Sequence, residues 1–356
     1  MQTKKPAPKP KPKAPLAVVH SVPANQQVTR VRAFCGGKTI LAAGFHGEVL
    51  RWDIHDSQLH PKPATPGHQG WCTAIEAVSD ASAVSVDSWG NAILWNVAAD
   101  QTTKAKEFKQ LHNGWVVAVA AHPNGKMLAT AARTREVTVR TLTDDKPLQQ
   151  WKLEHIPMSV QFSPTEQTLW VGDDFGKLHE YSLINGKLLR TLDASVLYLK
   201  HRLQDVGGVR TIVFSHDQKS VLVSGTQPKT GGFVQGMPTL VQFDLSTGKE
   251  IWQFQLPKDS LGYFHDLFVV RDTIFLAYSG QPGNGGVCIV KSGQKDPLFD
   301  FRLPNCHSIC RIENENRLVA ASTNANSSGN GRPKGDEYPE NHSPISLLEW
   351  MIPEVG

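Results

Sequence analysis

The stretch "HNGWVVAVAAHPNGKMLATAARTREVTVRTL", His112 to Leu142, decides the fold. It holds an apolar run (VVAVAA), a turn (HPNGK), a second run of small and aliphatic residues (KMLATAA), a short polar break and a third run (EVTVRTL). Pro beside Asn-Gly marks a tight turn, and β-branched runs of this length between such breaks read as strands. Forty-four residues earlier "HQGWCTAIEA", His68 to Ala77, spells the same His-x-Gly-Trp. Two histidines and two tryptophans could be half of a metal site, a ligand cage or a catalytic pair. They could equally be one structural unit written twice.

Three landmarks recur along the rest of the chain. An apolar strand ends in a turn such as "SPTEQ" (Ser163 to Gln167) or "SHDQK" (Ser215 to Lys219). A strand of small residues follows, as in "TILAAG", "QTLWVG" and "SVLVSG". The third strand carries an aromatic near its end, as in "EVLRWDI", "NAILWNV", "TLVQFDL" and "ISLLEWM"; the third and sixth copies, "EVTVRTL" and "GVCIVKS", lack it. Trp52 and Trp95 lie 43 residues apart. Seven copies with a period of about 44 residues are the signature of four-stranded propeller blades. The sequence predicts an all-β fold: one seven-bladed β-propeller of four-stranded antiparallel blades over 16–352, between a Lys/Pro-rich tail (1–15) and a short end (353–356). Outer strands follow the third strand in "LQQWKLE", "GKLLRTLD", "KEIWQFQL" and "PLFDFRL", but nothing follows "LLEWMI". Leu16 to Val22, "LAVVHSV", is expected to fill that place and close the ring, removing an open sheet edge.

These residues resemble the WD-repeat family. The opening stretch follows its His…Val-x-x-Val-Ala…Pro-x-Gly-Lys-x-Leu-Ala-x-Ala pattern, and "LRWD" ends the first copy on the Trp-Asp dipeptide. The resemblance implies that His68 and His112 are structural, each bonding backbone in the loop before its first strand. Family members often carry an Asp in the turn before the third strand, tying His to Trp. Here those turns read "FHG", "SWG" and "DFG", so that tie is not implied. "FDLSTGKEIWQFQL", Phe243 to Leu256, looks like the repeat of quinoprotein propellers, but those enzymes need a calcium site with clustered carboxylates, and none is apparent.

The net charge of +4 misleads. "MQTKKPAPKPKPKAP" holds five lysines and no acid, and the remaining 32 basic residues face 33 acidic ones. A near-neutral body argues against nucleic acid on the propeller. The tail reads as an extended, solvated segment able to contact an acidic partner. Five scattered cysteines suit a reducing compartment, and Cys306 and Cys310 have no second ligand pair for zinc. With no apolar run of about 20 residues, the expectation is a cytoplasmic protein without a membrane span.

Nothing points to catalysis. Gly-x-Ser-x-Gly, the phosphate loop and His-Glu-x-x-His do not occur. "SVDSWGNAILW" (Ser85 to Trp95) is out of register with a sialidase Asp box, and "FHD" (Phe264 to Asp266) is a chance His–Asp neighbour. The chain is read as a scaffold, not an enzyme, with no cofactor or metal. The alternative is a propeller enzyme or small-ligand binder using the central funnel. If the innermost strand of each blade comes first, three insertions share one face: Thr226 to Pro238, Ser279 to Gly286 and Thr323 to Ser343. Their Gly, Asn, Ser and Pro content predicts irregular loops, with Phe233, Met237 and Tyr338 as apolar contacts. The expected protein- or peptide-binding patch unites Phe233 and Tyr338 with Trp71, Trp115, Tyr263, Phe264, His265 and His307 around the axis.

Overall fold

The computed structural model describes residues 15–144, 146–200, 207–229, 236–257, 262–280, 283–323 and 342–351. They form seven four-stranded antiparallel sheets arranged as a seven-bladed β-propeller, with the strands of blades one to six in chain order from the axis outward. Among the described residues, no helix is long and apolar enough to cross a membrane.

Blade three shows why the opening stretch folds as it does. Its strands are Val116–Ala121, Met127–Ala132, Glu136–Thr141 and Pro147–Lys152. Gly125 takes φ +68° in the first turn, where its N–H donates to the His122 carbonyl (2.8 Å). The second strand is buried on both faces from Leu128 to Ala132. Leu128 packs with Val84, Val86 and Phe108 of blade two, while Ala129 and Ala131 pack with Phe162 and Val171 of blade four. Alternate side chains thus serve opposite neighbours, which makes the second strands continuously apolar rather than alternating. The third-strand aromatics Trp52, Trp95 and Trp350 are buried.

The ring closes where the sequence predicted. Leu16–Pro23 pairs antiparallel with Pro344–Trp350, from Leu16 opposite Trp350 to Pro23 opposite Pro344, so blade seven takes its outer strand from the other end of the chain. Leu16 is fully buried, and Ala24 N–H donates to the Ser343 carbonyl (2.8 Å). The expected Lys/Pro tail lies outside the described residues, apart from Pro15.

The face with the insertions differs from expectation in two respects. Pairing in blade five continues through Thr226–Pro238, Gln227–Met237 and Pro228–Gly236, so the base of that insertion is a lengthened hairpin. Blade six likewise pairs Ser279 with Gly285. Side-chain bonds from Thr226 Oγ1 to the Met237 carbonyl and from Gln255 Nε2 to Gln227 Oε1 hold the extra rungs of blade five, against the turn-forming composition. A further insertion, unforeseen, joins Asp193 of blade four to Thr211 of blade five and opens with a 3₁₀ turn, Ser195–Leu197, whose Leu197 is fully buried.

Around the axis the innermost strands are belted together. Thr29 Oγ1 donates to the Cys72 carbonyl (3.1 Å), Thr73 Oγ1 to Val116 (2.7 Å), Ser159 Oγ to Val209 (2.6 Å) and Thr211 Oγ1 to His265 (2.7 Å). The Asp266 carboxylate accepts from Ile309 N–H (3.2 Å), and His307 Nε2 bonds the Val28 carbonyl (2.7 Å), which closes the circle from blade seven to blade one. Blade three carries Val117 where blades one and two have threonine.

Candidate interaction face

The loops before blade two are held by a buried chain of four side chains. Trp95 Nε1 donates to Ser85 Oγ (2.8 Å), Ser85 Oγ lies 2.6 Å from His68 Nε2, and His68 Nδ1 lies 3.0 Å from Asp87 Oδ2. The ionised Asp87 carboxylate can only accept, which places the imidazole proton on Nδ1 and leaves Nε2 to accept from the Ser85 hydroxyl. The His–Trp tie that the turn sequences did not imply is therefore present in blade two. Its acid is Asp87, three residues before Gly90 rather than adjacent to it. Asp87 Oδ1 also accepts from the backbone N–H of Trp89 (2.9 Å) and Asn91 (2.8 Å), shaping the turn that lifts Trp89. Burial would raise this carboxyl, but hydrogen bonds from His68 and Asn91 outweigh it and hold the acid below its ordinary value. Gly90, at φ +93°, has no room for a side chain: a Cβ would stand 2.0 Å from the His112 carbonyl.

His112 has a thinner setting. Its Nε2 meets Thr130 Oγ1 (2.8 Å), its Nδ1 lacks a hydrogen-bond partner, and Glu136 stands 3.7 Å away. Burial pushes its pKa down to about 4, against a partial pull upward from Glu136. The unfolded chain, with an ordinary histidine near 6.5, takes up the proton first. This group's contribution to stability is complete above pH 6.5 and is lost as pH falls toward 4, by about 3 kcal/mol. Denaturation midpoints of the native protein and His112→Gln are expected to converge across that window. Parallel pH profiles would refute the assignment.

On the face above these histidines the aromatics gather in three groups. Phe45 stacks on Trp71 at 5.5 Å, Trp71 meets Trp115 edge-on at 5.6 Å, and the Arg133 guanidinium lies 4.7 Å from the Trp115 ring. Trp71 N–H donates to Ser88 Oγ (3.0 Å), which ties it to the turn carrying Trp89. Trp71 and Trp89 are 51% and 59% exposed, whereas Trp95, Trp170 and Trp350 are sealed in the core. A second stack runs His155–Phe175–Tyr198 at 3.7 and 4.2 Å. The third is Tyr263 with His265 (5.5 Å), under the Arg210 guanidinium at 4.5 Å.

Of the residues expected at the patch, Trp71 and Trp115 are in contact, as are Tyr263 and His265. Phe264 is fully buried between Phe254 and Tyr278 and offers no surface. His307 is spent on backbone, with Nδ1 2.9 Å from the Asn305 carbonyl and Nε2 on Val28. Phe233 and Tyr338 lie outside the described residues. Sequence reading missed Phe45, Trp89, His155, Phe175 and Tyr198. For Phe45, Trp89 and Phe175 the signal was the aromatic within "FHG", "SWG" and "DFG", read only as a departure from a family pattern; His155 and Tyr198 carried none.

The neighbours His265 and Asp266 part company. His265 bonds Ser279 Oγ, and burial together with Arg210, His307 and Arg30 holds it well below its usual pKa. Asp266 turns into the axial channel, where it pairs with Arg30 (3.2 Å) and Arg32 (3.1 Å); Arg32 also reaches Glu76 (2.7 Å). Burial raises the Asp266 carboxyl, but the two arginines and Ser308 outweigh it. The cavity left along this channel is about 130 Å³, below the usual size of a small-molecule site. Cys306 and Cys310, with the other three cysteines, are free thiols.

No protein-family model matches the chain, and no curated protein matches it.

Proposed function

We propose that this propeller is a non-catalytic interaction platform of WD-repeat type, holding a protein or peptide partner on the face that bears Trp71, Trp89 and Trp115. The observation that carries the reading is the pair of tryptophans more than half exposed on one face. Large aromatics at such density are typical of interface hot spots. The bonded His68–Ser85–Trp95–Asp87 set supports the WD-repeat resemblance. The near-neutral body supports a protein partner over nucleic acid, and five free cysteines suit a cytoplasmic setting. A channel braced by ion pairs favours a platform over an enzyme working in the funnel.

The test is affinity capture from native lysate with four baits: the full chain, Trp71→Ala/Trp89→Ala, a chain lacking 1–15, and a chain with Asn324 to His342 replaced by a Gly-Ser turn. Both tryptophans are exposed, so the double variant should melt with the parent. Loss of each hot-spot indole should weaken a direct partner by about 2 kcal/mol, roughly thirtyfold. A partner retained by the tryptophan variant and lost only with the tail would make the propeller a passenger.

A further inference from the structure

The third turn of this face departs from its counterparts in a way the platform reading does not require. Backbone bonds align the turns: Phe45 N–H donates to the Gln27 carbonyl, Ser88 to Trp71, Arg133 to Trp115 and Asp174 to Ile156. Two residues on, Gly47, Gly90 and Gly176 adopt φ of +81°, +93° and +75°. Blade three places Arg135 there, at φ +68°, a conformation that favours glycine. Its turn "RTR" thus sets two arginines where the others set at most one charge.

Both guanidiniums are outward and uncommitted to carboxylates. Arg133 and Arg135 are exposed, and neither lies within ion-pair distance of a described acid. The Arg135 guanidinium donates to the Glu154 backbone carbonyl oxygen (3.3 Å). The neighbouring Lys152 is matched by Glu136 (3.3 Å). Arg133 is the more organised of the two. Its backbone N–H is bonded to the Trp115 carbonyl and its guanidinium lies over that indole, 4.7 Å from the ring centre. Little side-chain freedom remains to be lost when a carboxylate docks.

Building on the platform reading, we propose that the bound partner segment is an acidic extended peptide, with an Asp or Glu carboxylate on the Arg133–Arg135 fork and an adjacent apolar or proline residue on Trp71 and Trp89. Like charge makes the chain's own Lys/Pro tail the wrong occupant. Charge complementarity selects the peptide, and the exposed indoles supply apolar contact.

The experiment uses the full chain and fluorescence anisotropy of labelled peptides that combine Pro, Leu and Phe with Asp/Glu. Matched versions carry Asn/Gln, Lys or phosphoserine at the acidic positions. The acidic peptide is expected to bind at least about tenfold more tightly than its amide version, and to weaken as salt rises from about 0.05 M to about 0.5 M. Arg133→Glu/Arg135→Glu should reverse the preference toward the Lys peptide, and Trp71→Ala/Trp89→Ala should weaken both. Equal affinity of acidic and amide peptides, or indifference to charge reversal, overturns the acidic assignment while leaving the platform standing, provided the tryptophan variant still loses binding. Tighter binding of the phosphoserine version also overturns it, in favour of a phosphopeptide. No binding by any peptide, or binding indifferent to Trp71 and Trp89, counts against both.

Discussion

Removing residues 1–15 should leave the melting temperature unchanged, whereas removing 1–23 should abolish cooperative folding or cost about 5 kcal/mol or more. The eight added residues are the whole outer strand of blade seven. Without them Pro344–Trp350 becomes a free edge whose Ile345, Leu347 and Leu348 are core residues. Leu16 alone, fully buried beside Phe275 and Trp350, is worth about 2 kcal/mol. The loss is also topological, because no other described strand joins the two ends of the chain in one sheet. A synthetic Leu16–Pro23 peptide added to the truncated chain should restore part of the stability by pairing in register. Melting curves of the three forms decide the matter, and a truncated chain that melts with its parent would refute ring closure as a source of stability.

The second large effect is expected at the axis. Asp266→Ala leaves Arg30 and Arg32 facing Glu76 alone, in a channel where Asp266 is 2% exposed. It also removes the acceptor for Ser308 Oγ (2.8 Å) and for the backbone N–H of Ile309. Stranding a buried charge costs about 3–5 kcal/mol, more than most single substitutions. The compensated variant Arg30→Met/Asp266→Leu keeps the Arg32–Glu76 pair and removes one charge of each sign. It should recover most of that loss, since replacing a buried pair by apolar groups is often neutral. Urea denaturation of both variants separates a stranded charge from a lost packing contact. Similar losses in both would locate the cost in packing or in the bonds to blade seven.

Blade number and strand order were legible because blades one to six are built from contacts near in sequence, and ring closure was legible from the outer strand missing after "LLEWMI". Turn residues and apolar runs report such contacts directly. The face was legible only in part. Trp71, Trp89 and Trp95 lie within one blade, yet two point to solvent and one into the core. Trp71 ends the entering loop and Trp89 sits in the turn, whereas Trp95 lies inside the strand Ala92–Val97, so which way each indole faces follows from its place relative to the strand ends. Phe264 shows a second obstacle. The first strand of blade six shifts register between Phe264 and Asp266, so simple alternation does not place the residues around the shift. The same shift separates His265 from Asp266. The acid of the His68 set was hidden for a related reason: it was sought beside Gly90, whereas the turn places it at Asp87.

The belt around the axis has a sense of direction. At each junction the inner strand fastens onto the next blade, except at Val117, whose isopropyl group has nothing to donate. Among the described residues, blades three and four are joined there by packing instead, with Val117 and Ala118 against Val160 and Phe162, and by His122 Nε2 bonding the Glu166 carbonyl (3.1 Å). This joint lies beside the Trp115–Arg133 corner, so a load placed on that corner passes to the next blade through apolar contact rather than through a hydroxyl bond at the axis.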